Sequence, residues 1–410
     1  MSFRLRSGTR PGDQGFTLTE LLVALVISAI AALAIYGAFT SLSSVTTQTR
    51  AQDNAWQQAR TAMTMLTQAI EQAGYGLPMN ECGGGIYTNV APSSTGVQYT
   101  VSTPSPSGGL FVTPVSATPQ ANSSPYYYSP MGINTYALTT VTGGSVFGSA
   151  PVTTITGTSG KSLTSVNFFV RTSTALSPSD LFLVALPNSS CLLGQITGSG
   201  GNGANNVIAN SGQSAFNAPG GFSATDPSIT TSQLTNRGLV DLGTGGFSVR
   251  NFFISDGGAA QAGTQVPSLY MQTYSSLNNT KTNVPPPLLV ARGIIDMQVA
   301  FGYGSNGVVT TYVLPSITPP AGMTAADLLT VQITLLVRST RYTPGHYAGA
   351  TPTKTVWNGT SNPNLPTVVY SIPTNLSSGQ SMGCVQGNCN QYLYRTFTSV
   401  IPLRNDIWGQ

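Results

Sequence analysis

Four cysteines, Cys82, Cys191, Cys384 and Cys389, and a single histidine, His346, bound the chemistry open to this 410-residue chain. A structural zinc site takes four Cys or His ligands held close together. Here two cysteines stand far from the close pair in CVQGNC, and no second histidine exists. Neither a metal nor any other cofactor is expected. In an exported chain an even cysteine count reads as disulfides, and four cysteines allow three connectivities. A Ser-His-Asp site would have to use His346, in the Pro/Gly stretch RYTPGHYAGA, with no G-x-S-x-G elbow to present a serine. The carboxylates are scattered singly, so the paired acids of glycoside chemistry are not signalled. Asp241, Asp256 and Asp296 read as turn or edge residues. DLGTGGFS (Asp241 to Ser248) and GSGGNGAN (from Gly198) have the composition of phosphate-cradling loops. Neither opens a helix whose N-terminus would face a phosphate, so both read as hairpin turns. No enzymatic activity is expected.

The elements that must hold these residues are set by composition. Only 7% of the chain is charged, against roughly 25% in an ordinary soluble domain. With 45 Gly, 27 Pro and long Ser/Thr/Asn stretches, the surface is uncharged polar, which suits strands and turns rather than exposed helices. The net charge of +4 is split, because Arg4, Arg6 and Arg10 less Asp13 place half of it in the first fifteen residues. The rest offers no basic face to a nucleic-acid backbone and no acidic one to cations.

The polar, basic leader MSFRLRSGTRPGDQG stops at an apolar run from Phe16 to Phe39, about 36 Å long as a helix and sufficient to cross a hydrocarbon core. The leader's arginines should stay cytoplasmic and everything beyond Phe39 should lie outside. A secretory signal peptide is the plainer reading, but no small-x-small cleavage site follows Phe39, and Ser41 to Ala73 still reads as helix. Glu20 also sits inside the apolar run, where a lipid-facing carboxylate costs roughly 2.5 to 3.5 kcal/mol. Such a charge needs a partner. Beyond the membrane Val45, Trp56, Ala59, Met63, Leu66, Ile70 and Ala73 fall on a three-four spacing that predicts the face docking this helix on a globular domain. Gly74, Gly76 and Pro78 end it near Ala73.

Gly15-Phe16-Thr17-Leu18-Thr19-Glu20 followed by an apolar helix resembles the class III signal of type IV pilins and type II secretion pseudopilins. The resemblance implies that a prepilin peptidase cuts between Gly15 and Phe16 and that Phe16 becomes an N-methylated first residue. It also implies that Glu20 pairs with a positive amino terminus in the assembled filament. Gly37 lies where many pilins carry a helix-breaking proline, so a local weakening is expected there.

From Tyr75 onward the chain reads as β-rich. Strands are expected over Val97 to Val101, Val166 to Val170, Leu181 to Leu186, Phe247 to Ile254, Asp296 to Phe301, Val331 to Val337 and Tyr392 to Ile401. Pro104 to Gly160 and Gly198 to Asp226 are rich enough in Ser, Thr, Gly and Asn to read as long loops or edge insertions. LVARGIIDMQVAFGY (Leu289 to Tyr303), VQITLLVRS (Val331 to Ser339) and YRTFTSVIPLRN (Tyr394 to Asn405) resemble the closing segments of PilW-type minor pilins. DLFLVALPNSSCLLGQIT (Asp180 to Thr197) resembles that family's mid-domain segment. Phe301 and Arg292 depart from the residues commoner in the family at those places. Among the three connectivities, the close pair favours Cys384 with Cys389, leaving Cys82 with Cys191 to tie the helix exit to the sheet.

The expected fold is α+β, a long N-terminal pilin helix packed on a large, mainly antiparallel β-rich domain. Its expected parts are a cleaved leader (1–15), a transmembrane and filament-core helix (16–39), the exported half of that helix (40–74) and the β-rich domain (75–410). The resemblance implies a minor pilin anchored once in a bacterial inner membrane, with its domain in the periplasm and later on the filament or its tip. Implied partners are other minor pilins, the major pilin, the inner-membrane assembly platform, the prepilin peptidase and a large tip adhesin. A J-type pseudopilin of type II secretion shares the leader, though with a shorter β domain. A surface-binding adhesive module is the reading of another class.

Overall fold

The computed structural model describes residues 17–78, 82, 85–88, 110–120, 135–144, 152–159, 166–186, 190–199, 206–209, 217, 231–244, 246–255, 265–275, 286–315, 320–323, 327–342, 353–357, 365, 367–372, 383–384 and 388–403. The expected strand Val97 to Val101, Asp256 and His346 lie outside the described residues. The chain divides into two compact units, Met1–Arg50 and Ala51–Gln410.

One helix, α1 (Leu18–Glu71), runs for 54 residues. Every side chain from Thr17 to Thr46 is exposed, Leu33 and Phe39 among them. Among the described residues α1 is the helix long and apolar enough to cross a membrane. It runs through Gly37 as continuous helix. A lone glycine costs a helix only about 1 kcal/mol against alanine, and unlike proline it keeps its N–H.

The second unit carries twenty described strands. They begin with β1 (Gly85–Thr88), β2 (Leu110–Val112), β3 (Val115–Pro119), β4 (Tyr136–Gly143), β5 (Thr153–Ser159) and β6 (Val166–Val170). Next come β7 (Leu181–Ala185), β8 (Ser190–Gln195), β9 (Gly198–Ser199), β10 (Asn206–Ala209), the one-turn helix α2 (Thr231–Leu234) and β11 (Gly238–Gly243). The remainder is β12 (Phe247–Ser255), β13 (Ser268–Ser275), β14 (Leu288–Arg292), β15 (Ile294–Ser305), β16 (Val308–Val313), β17 (Leu328–Arg338), β18 (Thr353–Trp357), β19 (Val368–Ser371), a 3-10 turn η1 (Cys389–Gln391) and β20 (Tyr394–Pro402). They form a nine-stranded sheet β2-β1-β8-β7-β11-β5-β6-β10-β9, a five-stranded sheet β14-β13-β12-β4-β3, a four-stranded sheet β16-β15-β17-β20 and a β18-β19 pair. Only β1 with β8 is parallel among the described pairs.

The stretches expected to be loops are partly sheet. Pro104 to Gly160 contains β2, β3, β4 and β5, and Gly198 to Asp226 contains β9 and β10. Their Ser/Thr-rich strands were masked by composition because β-branched Thr packs well on a pleated surface although it looks polar. In β4, YALTTVTG, Thr139 and Thr140 are both buried. β7 is buried on both faces, with Leu181 and Leu183 in one core and Phe182 and Val184 in another. A continuous apolar run rather than an alternating one is what such a doubly covered strand requires.

β9 and β10 pair as an antiparallel hairpin, as read from GSGGNGAN. DLGTGGFS is not a hairpin turn: β11 pairs with β5 and β7, whereas β12 pairs with β4 and β13, so the turn carries the chain from one sheet to another. Asp241 and Asp296 are likewise neither turn nor edge residues. Asp241 lies in β11 and Asp296 in β15, both interior strands of their sheets, and both are buried.

Candidate functional site

The first turn of α1 is a capping box. Thr17 N–H donates to Glu20 Oε2 at 3.0 Å, and Glu20 N–H donates to Thr17 Oγ1 at 3.3 Å. The Thr17 hydroxyl adds a third bond to Glu20 Oε2 at 2.9 Å. Two backbone donors that a helix start leaves orphaned are thereby satisfied reciprocally. The T-x-x-E spacing was legible in the sequence, but Glu20 was read there only as a charge. Gly15 and Phe16 lie outside the described residues.

Within the second unit, residues 51–71 of α1 lie on the sheets through Ala51, Ala55, Ala59, Ala62, Leu66, Ala69 and Ile70, all buried. This corrects the expected stripe. Trp56 is 54% exposed and Val45 56%, while Ala59, Leu66, Ile70 and Ala73 are buried as expected. The difference is size: alanines let a helix backbone approach a sheet closely, and a reading weighted toward large apolar side chains passes over them. The seat is one core built from β3, β4, β12, β13, β14, β15, β17 and β20. Val331, Ile333, Leu335 and Val337, the shared face expected on β17, are fully buried in it, each contributing roughly 1.5 to 3 kcal/mol.

Polar bonds fix the helix in rotation and position. Gln58 Oε1 accepts from Arg292 N–H at 2.8 Å, Asn54 Oδ1 from the Thr340 hydroxyl at 2.9 Å and Gln72 Oε1 from Arg250 Nη1 at 3.1 Å. At the helix exit Gly74 (φ +76°) donates to Val141 O and Gly143 donates to Tyr75 O at 2.6 Å. A Cβ on Gly143 would press on the carbonyl oxygen of Gly76, so this crossing of helix exit and β4 requires glycine. Sequence reading did not single out Asn54, Gln58 or Gln72, because an isolated Gln or Asn on a helix carries no pattern.

Cys82 is bonded to Cys191 and Cys384 to Cys389. The first bond stands beside the parallel pairing, where Ile86 of β1 lies opposite Cys191 of β8, so the segment after the α1 exit is tied into the nine-stranded sheet. The second closes a loop immediately before β20.

Buried acids complete the electrostatics. Burial lifts the Asp296 carboxyl to about 6, against hydrogen bonds from Gln298, Thr135 and Met297 N–H that favour its ionised form. Gln298 Nε2 lies 3.0 Å from both Asp296 oxygens. Burial raises Asp241 above the usual carboxylate range; the Gly243 N–H opposes this and the charge of Asp180 adds to it. Among the described residues no three of His, Cys, Asp and Glu gather as metal ligands would.

Residues 251–405 match the family of type IV pilus-assembly protein W, and residues 10–36 match the prokaryotic N-terminal methylation motif. No curated protein and no solved structure matches the chain. The first match covers β13 to β20 and the second half of β12, hence the whole four-stranded sheet under α1. The nine-stranded sheet, built from residues 85–243, falls outside both matches, as does the mid-domain segment Asp180 to Thr197.

Proposed function

We propose that the chain is a minor pilin, a structural subunit that takes part in priming, assembly or tip structure of a type IV pilus. The observation that carries the proposal is the pairing of a prepilin-like start, Gly15 to Glu20, with an exposed apolar helix segment whose later residues enter the core of a domain matching the pilus-assembly family. Prepilin peptidase cuts after Gly15, and Phe16 becomes the methylated terminus. Residues 16–39 cross the inner membrane, 40–74 form the exported half of the helix and 75–410 occupy the periplasm, then the filament or its tip. Glu20 pairs with a positive amino terminus during assembly. Its Oε2 is engaged by Thr17, so a second lone-pair-rich oxygen on the same carboxylate is there to meet that charge. Partners follow from this reading: other minor pilins, the major pilin, the assembly platform and a large tip adhesin. The work in assembly is packing and registration.

Mass spectrometry of the mature chain tests the proposal. A terminus at methylated Phe16, lost when Gly15 is replaced by a bulky residue, is the expected result; a terminus beyond Phe39 would overturn it. The competing pseudopilin reading predicts co-purification with a secretion system instead of sheared pili. One observation also favours a binding role: the nine-stranded sheet lies outside the family match and has an apolar core of its own, besides one it shares with β4 and β12. Deleting it should abolish surface binding while leaving piliation intact if that reading holds.

A further inference from the structure

Arg338, the last residue of β17, is fully buried. Its Nη1 lies 2.7 Å from Cys384 Sγ and 3.8 Å from Cys389 Sγ. The guanidinium carbon stands 4.6 Å from the centroid of the Tyr392 ring, which Tyr342 meets edge to face at 5.8 Å. Ile295, Leu336, Tyr370 and Ile372 supply the apolar wall. The surroundings hold the loop in place, because Tyr394 OH donates to Cys389 O at 3.1 Å and Ser339 N–H to Leu393 O at 2.8 Å.

A disulfide sulfur is a weak, uncharged acceptor for a guanidinium. A thiolate at the same position would be a full counter-charge, and in surroundings of low dielectric that difference is large. A neighbouring arginine is also one of the devices that stabilise a thiolate over a thiol. The other bond is placed differently. Cys82 and Cys191 sit in a core of Leu77, Ile86, Val141 and Leu193, where burial in apolar surroundings disfavours a thiolate. The loops differ as well, with sequence separations of 5 and 109, so less chain entropy holds the short one closed.

We propose that Cys384–Cys389 is a thiol–disulfide exchange site at which Arg338 receives the Cys384 thiolate when a dithiol reductant opens the bond. The two electrons come from the reductant, whose own sulfurs join to each other. Of its two protons, one goes to the Cys389 thiol and one to solvent, while Cys384 remains a thiolate on Arg338. A reduced form stabilised in this way makes the disulfide the more oxidising of the two.

The test equilibrates the full-length, detergent-solubilised chain with graded ratios of reduced to oxidised dithiothreitol at pH 7, quenches with acid, alkylates and maps the peptides. Cys384–Cys389 should open at a ratio at least tenfold lower than Cys82–Cys191, and Arg338→Gln should erase at least half of that gap on a logarithmic scale. The two bonds opening together, or the long-loop bond opening first, would overturn the proposal. A second arm avoids dependence on Arg338→Gln folding. In Cys389→Ser the lone Cys384 thiol should reach half-maximal iodoacetamide reactivity at least one pH unit below Cys191 in Cys82→Ser. An equal or higher midpoint would refute a thiolate held by Arg338.

Discussion

Trp56 of α1 and Phe397 of β20 meet edge to face, their ring centroids 4.8 Å apart and their planes at 80°. Trp56 is the largest side chain on its stretch of helix, yet it stands half exposed at the rim of the seat while alanines occupy the seat itself. Helix and edge strand are thus clamped from the side by aromatic contact and held from below by close backbone approach.

Adding bulk to the seat should therefore cost more than removing the clamp. Ala62 is fully buried, and Ala62→Leu should destabilise by about 1 to 3 kcal/mol through overpacking. Trp56→Ala loses one aromatic pair, about 1 kcal/mol beyond its partial burial. Thermal melts of the detergent-solubilised protein should rank Ala62→Leu as the less stable; the reverse order would mean the alanine stripe is not the tight contact.

Glu20 serves two interactions that substitution can separate. Glu20→Gln keeps a side chain able to accept from Thr17, whereas Glu20→Ala removes the cap, worth about 1 kcal/mol of helix stability. We expect both variants to be cleaved and membrane-inserted and both to be scarce in sheared pili, measured by immunoblot, because neither offers a negative charge to an amino terminus. Full incorporation of Glu20→Gln would leave capping as the role of this carboxylate.

The two disulfides should differ in their hold on the fold. In the chain-entropy model a separation of 109 residues is worth about 5 kcal/mol and one of 5 residues about 2 kcal/mol. Cys82→Ser should accordingly lower the melting temperature by more than Cys389→Ser. A greater loss in Cys389→Ser would locate the stabilising tie at the start of β20 instead.

Asp296 gives the stability an acid dependence of definite sign. Its carboxyl binds a proton more tightly when folded, at about 6, than a free aspartate does at 3.8. Its contribution is therefore greatest below about pH 4 and is lost as pH rises through 6, by up to about 3 kcal/mol. Asp296→Asn, an isosteric neutral replacement, should flatten the fall in melting temperature between pH 4 and 7. An unchanged slope would show that other buried acids, Asp241 first among them, set it.

Local signals determined much of this protein. A basic leader, Gly15 before Phe16, an apolar run and Glu20 are all contiguous, so one short stretch carried the resemblance to a class III signal, and its length alone gave a membrane-length helix. Apolar alternation likewise located β17 through Val331, Ile333, Leu335 and Val337, whose shared face lies in one core because side chains of a strand alternate with period two. Tertiary structure decided what depends on residues far apart in sequence. The helix seat is mostly alanine, with Leu66 and Ile70 among it, because strands distant in the chain come close to the helix along this face. Asp296 and Asp241 are interior because β17 pairs opposite the first and β7 opposite the second. Arg338 meets Cys384 at a sequence separation of 46, and Ser/Thr-rich segments became strands only once partners supplied their backbone bonds. None of these relations leaves a periodic trace along the chain, since each is a product of packing rather than of local preference.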